Sequence, residues 1–96
     1  MIKRIVKMSF QPDKVNDFKA IFSENWTRIA SFKGCSHVEL LQVKDEPNVF
    51  FTYSIWDKEE SLNAYRDSEL FAHVWGRTKA LFNDKPQAWS VDELRF

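Results

Sequence analysis

Cysteine, histidine, glycine and proline are all scarce in this chain of 96 residues: one Cys, two His, two Gly and three Pro. A lone thiol, Cys35, closes no internal disulfide. With only His37 and His73 to accompany it, Cys35 builds no cysteine-rich zinc site; no metal is expected, and a reducing cytoplasm is the expected compartment. Linkers, low-complexity tracts and internal repeats are missing too, which leaves one domain over residues 1–96 with a single core. Charge of one sign is also absent. Fourteen Lys and Arg balance fourteen Asp and Glu, so no net field gathers phosphate backbones or anionic lipid, and nucleic acid is not an expected partner. No run approaches the roughly 18–20 apolar residues that span a bilayer, and residues 1–5 lack the apolar stretch of a signal peptide. A soluble protein without a membrane partner is expected.

What the chain has in excess is rings. Nine Phe, four Trp and two Tyr make 16% of the residues aromatic, above the usual share of a globular domain. Their spacing sets the elements. Residues 2–10 alternate, with Ile2, Val6, Met8 and Phe10 on one side and Lys3, Ile5, Lys7 and Ser9 on the other, a strand pattern. After Gln11, Pro12 and Asp13, apolar residues from Val15 through Phe18, Ile21, Phe22, Trp26 and Ile29 to Phe32 recur every three or four positions. That predicts a long amphipathic helix with Pro in its first turn and Gly34 as its left-handed cap. Strands are predicted over 37–43 and 49–56, joined as a hairpin by a charged turn. Asp57 with Glu60 reads as a capping box for a short helix over 58–66, and Ser68 starts another running to about Phe82. Residues 88–96 return to a strand pattern. The order is β-α-β-β-α-β, an α+β, ferredoxin-like arrangement with an antiparallel sheet.

The third strand carries a physical consequence. Val49–Trp56 puts large apolar groups on both sides, whereas a sheet with one wet face alternates cleanly. The helices can cover only one face. The other packs against the chain's own ends or against a second copy, and a homodimer joined through its sheet faces is the simpler solution; a stable one buries about 1,200 Å² or more in total.

Several segments together resemble the antibiotic biosynthesis monooxygenase family. They are the strand IKRIVKMSF, the helix opening QPDKVNDF, the KGC turn into SHVELLQV, a strand closing on IW, and then DKEESLNAYRDSELF. The resemblance covers nearly the whole chain and implies a dimeric α/β barrel. For members that are enzymes it implies oxidation of aromatic polyketides or quinols, with no metal or flavin cofactor, in a cavity between the sheet and helices of each subunit. A related branch degrades haem, using an Asn in the first strand and a Trp and a His ten residues apart after the third strand. Here the first strand has no Asn, Tyr65 stands in place of that Trp, and Trp75 in place of that His, so haem degradation is not expected.

Chemistry of this kind needs an apolar slot, a base and one or two donors. Tyr65 and Tyr53 are candidate catalytic donors to a developing oxyanion, or else core-capping phenols with a wet hydroxyl. His37, at a strand start, is a candidate base or simply solvated. Trp56, Phe22, Phe71 and Trp75 are candidate substrate-binding walls, or core. Arg77 could reach over a cavity mouth toward a phenolate, and Asn25 could orient a carbonyl; each has a plain surface or helix reading beside it. His73 falls outside the buried stripe of the last helix, and Cys35, with no neighbouring base in sequence, reads as a packing thiol. The expected cavity has Trp56, Tyr53, Tyr65, Phe22, Trp75 and Phe71 in its walls. Its expected function is cofactor-independent oxidation of a small phenolic or quinol metabolite, the alternatives being a non-catalytic dimeric carrier of a small aromatic or acyl molecule and a purely structural dimer.

Overall fold

In the computed structural model, which describes residues 1–96, the elements run β1 (Ile2–Ser9), α1 (Val15–Ala30), β2 (Cys35–Gln42), β3 (Val49–Trp56), α2 (Glu59–Arg66), α3 (Glu69–Lys79) and β4 (Gln87–Val91). A 3-10 turn, Pro12–Lys14, leads into α1. The sheet has the order β2-β3-β1-β4 with every neighbouring pair antiparallel. This is the ferredoxin-like α+β arrangement, its final helical segment divided between Arg66 and Glu69. No helix is long and apolar enough to cross a membrane.

Residues directly opposite one another in an antiparallel pair share a face. Arg4 with Ser54, Val6 with Thr52 and Met8 with Phe50 lie on the inner face, and Lys3 with Ile55, Ile5 with Tyr53 and Lys7 with Phe51 on the outer one. The helices pack on the inner face. There Met8 and Phe50 meet Phe10 and Phe18 in a core with almost no exposure. Phe10 stacks on Phe18 at 4.1 Å between centroids, and Phe50 stands edge-on to both at 5.8 and 5.2 Å. A second cluster joins Ile21 and Ile29 of α1 to Val38 of β2 and Val74 of α3. The shortest dimension, 21 Å, is that of one sheet and one helix layer. No helix covers the outer face, where Leu41 and Trp89 remain 46% and 44% exposed.

Local chemistry explains where the elements depart from expectation. Strand β2 starts two residues early, at Cys35, because an irregularity between Cys35 and His37 lets the chain pair with Trp56 before the regular register begins. The capping box does not form. Helix α2 begins at Glu59 with Lys58 at its N-cap and no side-chain cap bond. Asp57 is engaged elsewhere: its N–H donates to the Gly34 carbonyl at 2.8 Å, and a hydrogen bond from Ser61 holds its carboxyl below the usual range. Gly34 itself takes a φ of +90°, and a side chain there would collide with Ser61 and come within 2.6 Å of the Asp57 carboxylate. Glycine is required twice over at that turn, for conformation and for space. Ser68 does cap α3, accepting a hydrogen bond from the Phe71 N–H at 3.1 Å. Strand β4 stops at Val91, opposite Lys3, since only Ile2 remains in β1 beyond that pair. Residues 92–96 therefore carry no strand.

Candidate functional site

Strand parity and helix spacing converge on one place. Between the inner face of the sheet and the three helices lies a cavity of about 380 Å³, lined by 19 residues of which 13 are hydrophobic. Its volume falls in the range of about 300–1,000 Å³ typical of small-molecule sites. The floor is buried and includes Met8, Phe18 and Trp56, while Arg66, Pro86 and Ala88 at the rim are exposed.

One wall is a run of rings. Tyr65, in the last turn of α2, stacks on Trp56 at 5.1 Å and 27°. Phe71 stands edge-on to Tyr65 at 5.2 Å and lies nearly parallel to Trp75 at 5.8 Å and 13°. Phe71 and Trp75 meet because residues four apart on a helix share a face. The Trp56 indole N–H donates to Ser54 Oγ at 3.0 Å; this orients the indole and leaves the Ser54 hydroxyl proton free to donate in its turn. Thr52 and Thr78 add hydroxyls to the lining.

Burial sets the protonation state of the wall. It is the main cause pushing the Tyr65 phenol up to about 12, with Cys35 nearby contributing in the same direction, so near neutrality Tyr65 is an un-ionised hydrogen-bond donor. Burial also pushes the Cys35 thiol up, away from the thiolate form that would make it reactive. Arg4 is pulled below the ordinary arginine value, first by burial and then by the charge of Arg66. Among the lining residues there is no carboxylate and no imidazole, and no three His, Cys, Asp or Glu side chains come together as a metal centre would require.

The structure gathers Tyr65, Trp56, Phe22, Phe71 and Trp75 around this cavity. Tyr53 is not with them, a correction to the expected wall. Thr52 and Ser54, its neighbours in β3, face inward, and successive strand residues point to opposite faces, so Tyr53 projects from the outer face. His37 lies there too, its ring 5.9 Å from that of Tyr53 and its Nε2 3.5 Å from Glu39 Oε1; neither borders the cavity. Arg77 is also absent from the lining, its Nη1 lying 3.5 Å from both Glu24 Oε2 of α1 and His73 Nε2 on the exposed side of α3. Asn25 is buried, but its amide donates to the Ile21 carbonyl at 2.8 Å within α1 and does not reach the cavity. His73 and Asn63 are exposed.

Sequence reading missed Arg4, Arg66, Thr52, Ser54 and Thr78 as lining residues. For Arg4 a signal was available: it shares strand parity with Val6 and Met8, so a cation sits on an otherwise apolar face. Thr52 and Ser54 share the parity of Phe50 and Trp56 in the same way. Nothing in the sequence tells Arg66, at the end of α2, from a solvated arginine.

Comparison with known proteins agrees with this fold. The family model described as antibiotic biosynthesis monooxygenase matches residues 1–75. No curated protein matches the chain. A solved structure of an antibiotic biosynthesis monooxygenase superimposes with a TM-score of 0.93 at 16% identity, covering 99% of this chain and 100% of the other. A conserved protein from Methanosarcina mazei Go1 gives 0.92 at 17% identity, with 97% and 92% covered. A protein from Mycobacterium tuberculosis gives 0.90 at 15%, with 99% and 96% covered. Likeness at such identities speaks for the fold alone, whereas the family model spans most of the chain and the cavity wall from Arg4 to Trp75: the chain belongs to the antibiotic biosynthesis monooxygenase family.

Proposed function

We propose that this protein oxidises a small phenolic or quinol-type molecule with dioxygen inside the cavity, without a bound cofactor, as a homodimer joined through the outer faces of its sheets. The observation that carries the reading is the continuous wall Trp56–Tyr65–Phe71–Trp75, a flat apolar surface with hydroxyl donors at its margin. A ring held there is shielded from water, and Tyr65, un-ionised, donates toward an oxygen on which charge develops. The reaction needs no external reductant: a quinol and dioxygen become a hydroxyquinone and water, one oxygen atom entering a ring C–H position and the other leaving as water.

The dimer is supported by the outer face, which offers Ile5, Phe51, Tyr53, Ile55, Leu41 and Trp89 with no helix over them. Its charges suit a second copy: Lys7 lies on β1 and Glu39 on β2, so a two-fold axis can set each copy's cation against the other's carboxylate. Tyr53 and His37 then belong to the subunit contact.

Oxygen uptake by the purified protein with a panel of quinols tests the activity. The expected result is uptake above buffer, reduced about tenfold or more in Tyr65→Phe, which keeps the ring and loses the donor. Uptake equal to buffer across the panel counts against it. A second reading, a carrier of small aromatic molecules, is favoured by the lack of carboxylate and imidazole in the lining. Saturable quenching of tryptophan fluorescence with no oxygen consumption would select that reading.

A further inference from the structure

The cavity holds two cations that its apolar character does not explain. Arg4 extends from the first half of β1 on the inner face and Arg66 from the last turn of α2, and both line the same space. Neither is paired with an acid. The ion pairs of the chain are Lys3–Glu93, His37–Glu39, Arg77–Glu24 and Arg95–Glu93. Arg4 finds only the Ser90 hydroxyl, to which its Nη1 donates at 3.1 Å. That single bond leaves most of its five N–H donors available. Burial first, and the charge of Arg66 second, disfavour the charge on Arg4, and an anion beside the two guanidiniums would offset both.

Resting on the cavity reading above, we infer that the ligand of this site is an aromatic molecule already carrying one negative charge at neutral pH, its ring against Trp56, Tyr65, Phe71 and Trp75 and its anionic oxygens on Arg4 and Arg66. Two chemical facts agree. With no carboxylate or imidazole in the lining, nothing there removes a proton, so a ligand that reacts as an anion must arrive as one. Arginine presents a planar fork of donors matched to a pair of oxygens on one carbon, or to an oxygen on an acidified ring, and stays charged where lysine would lose its proton. The anion can be a carboxylate or an acidic phenolate; both present the same charge to the same fork.

Calorimetric titration with matched pairs separates the possibilities. One pair is 2-naphthoate and its neutral amide, the other 2,4-dinitrophenol, ionised at neutral pH, and 2,4-dinitroanisole. At least one anion should bind about tenfold or more tightly than its neutral partner, and the better pair identifies the anion class. The preference should fall to about twofold or less in Arg4→Gln/Arg66→Gln and survive in Arg95→Gln, a remote exposed arginine paired with Glu93. Neutral ligands binding the wild-type protein as well as the anions would overturn the inference and leave the aromatic cavity standing. An anion preference that persists in the double variant would also overturn it. Binding of neither member of either pair would sink both this inference and the cavity reading. Circular dichroism confirms that the variants fold.

Discussion

The two faces of strand β3 use the same eight residues in opposite ways. Phe50, Thr52, Ser54 and Trp56 turn toward the helices; Phe50 and Trp56 are buried to within 1% and the two small hydroxyl residues between them leave the space that becomes the cavity. Phe51, Tyr53 and Ile55 turn the other way and are half-buried with nothing from this chain above them. Large residues on the inner face occur only at the ends of the strand, with a gap in the middle. On the outer face they are continuous. A ligand site needs such a gap, whereas a flat surface meeting its own copy does not, and the difference follows from side-chain volume at alternating positions.

The largest effect expected from breaking that contrast is in the core. Phe50→Ala should cost about 3–5 kcal/mol in denaturant unfolding, as truncation of a fully buried Phe generally does. Phe51→Ala, one position away, should cost the isolated subunit about 1 kcal/mol or less and act instead on association. Equal losses in the two variants would mean that the faces are not distinguished as described.

Association itself is the next test. Ile5→Glu puts a carboxylate in the middle of the outer face, opposite Tyr53. Sedimentation should show the dimer weakened about 100-fold or more, some 2.7 kcal/mol, with the helical signal unchanged. A wild-type protein that sediments as a single chain at micromolar concentration would remove the dimer altogether.

Alkaline pH tests the burial of Tyr65. The unfolded chain holds Tyr65 near 10.0 and the folded chain near 12. Below about pH 10 the phenol is protonated in both states and has no effect on the pH dependence. Above it the unfolded chain ionises first, so stability falls as pH rises toward 12, by on the order of 2–3 kcal/mol in all. Tyr65→Phe should flatten that part of the decline in an alkaline stability profile. A profile identical to wild type would show that Tyr65 is more solvated than its stacked position implies.

The smallest effect concerns the helix that carries Phe71 and Trp75. Ser68→Ala removes the hydroxyl that accepts from the Phe71 N–H and should cost about 1 kcal/mol, the usual loss for an N-cap. No loss would mean that α3 is held by packing alone.

Much of this was readable from residue order. Strand β3 has the bounds its pattern predicts, and of the stripe that helical spacing predicts, Phe71, Val74, Trp75 and Thr78 share one face of α3, whereas Leu81 and Phe82 lie past the helix, which stops at Lys79 and not near Phe82. Five of the expected site residues (Tyr65, Trp56, Phe22, Phe71 and Trp75) came together, since rings at buried-face positions of adjacent elements converge wherever those elements pack. The misplacements have particular causes. Tyr53 has the chemistry of a cavity donor, but its strand parity points it to the other face. Asn25, whose direction the sequence leaves open, faces the buried side of α1, where a carbonyl one turn earlier takes its amide. An arginine in a strand is ordinarily a surface residue, and only the closing of β4 beside β1 makes Arg4 the neighbour of Ser90.

By itself the sequence determined the order of elements, the antiparallel α+β class and the apolar character of both sheet faces, because these depend on periods of two and of about 3.6 that are local to each segment. It also determined that glycine stands at 34, where no other residue fits the turn. Tertiary structure alone decided that Arg4 and Arg66, 62 positions apart in sequence, share one cavity and that Tyr65 lies flat on Trp56. It also decided that no acid reaches either arginine. Such pairings arise from how helices settle on a sheet, and that depends on the volume of every side chain between them, a quantity no local period contains.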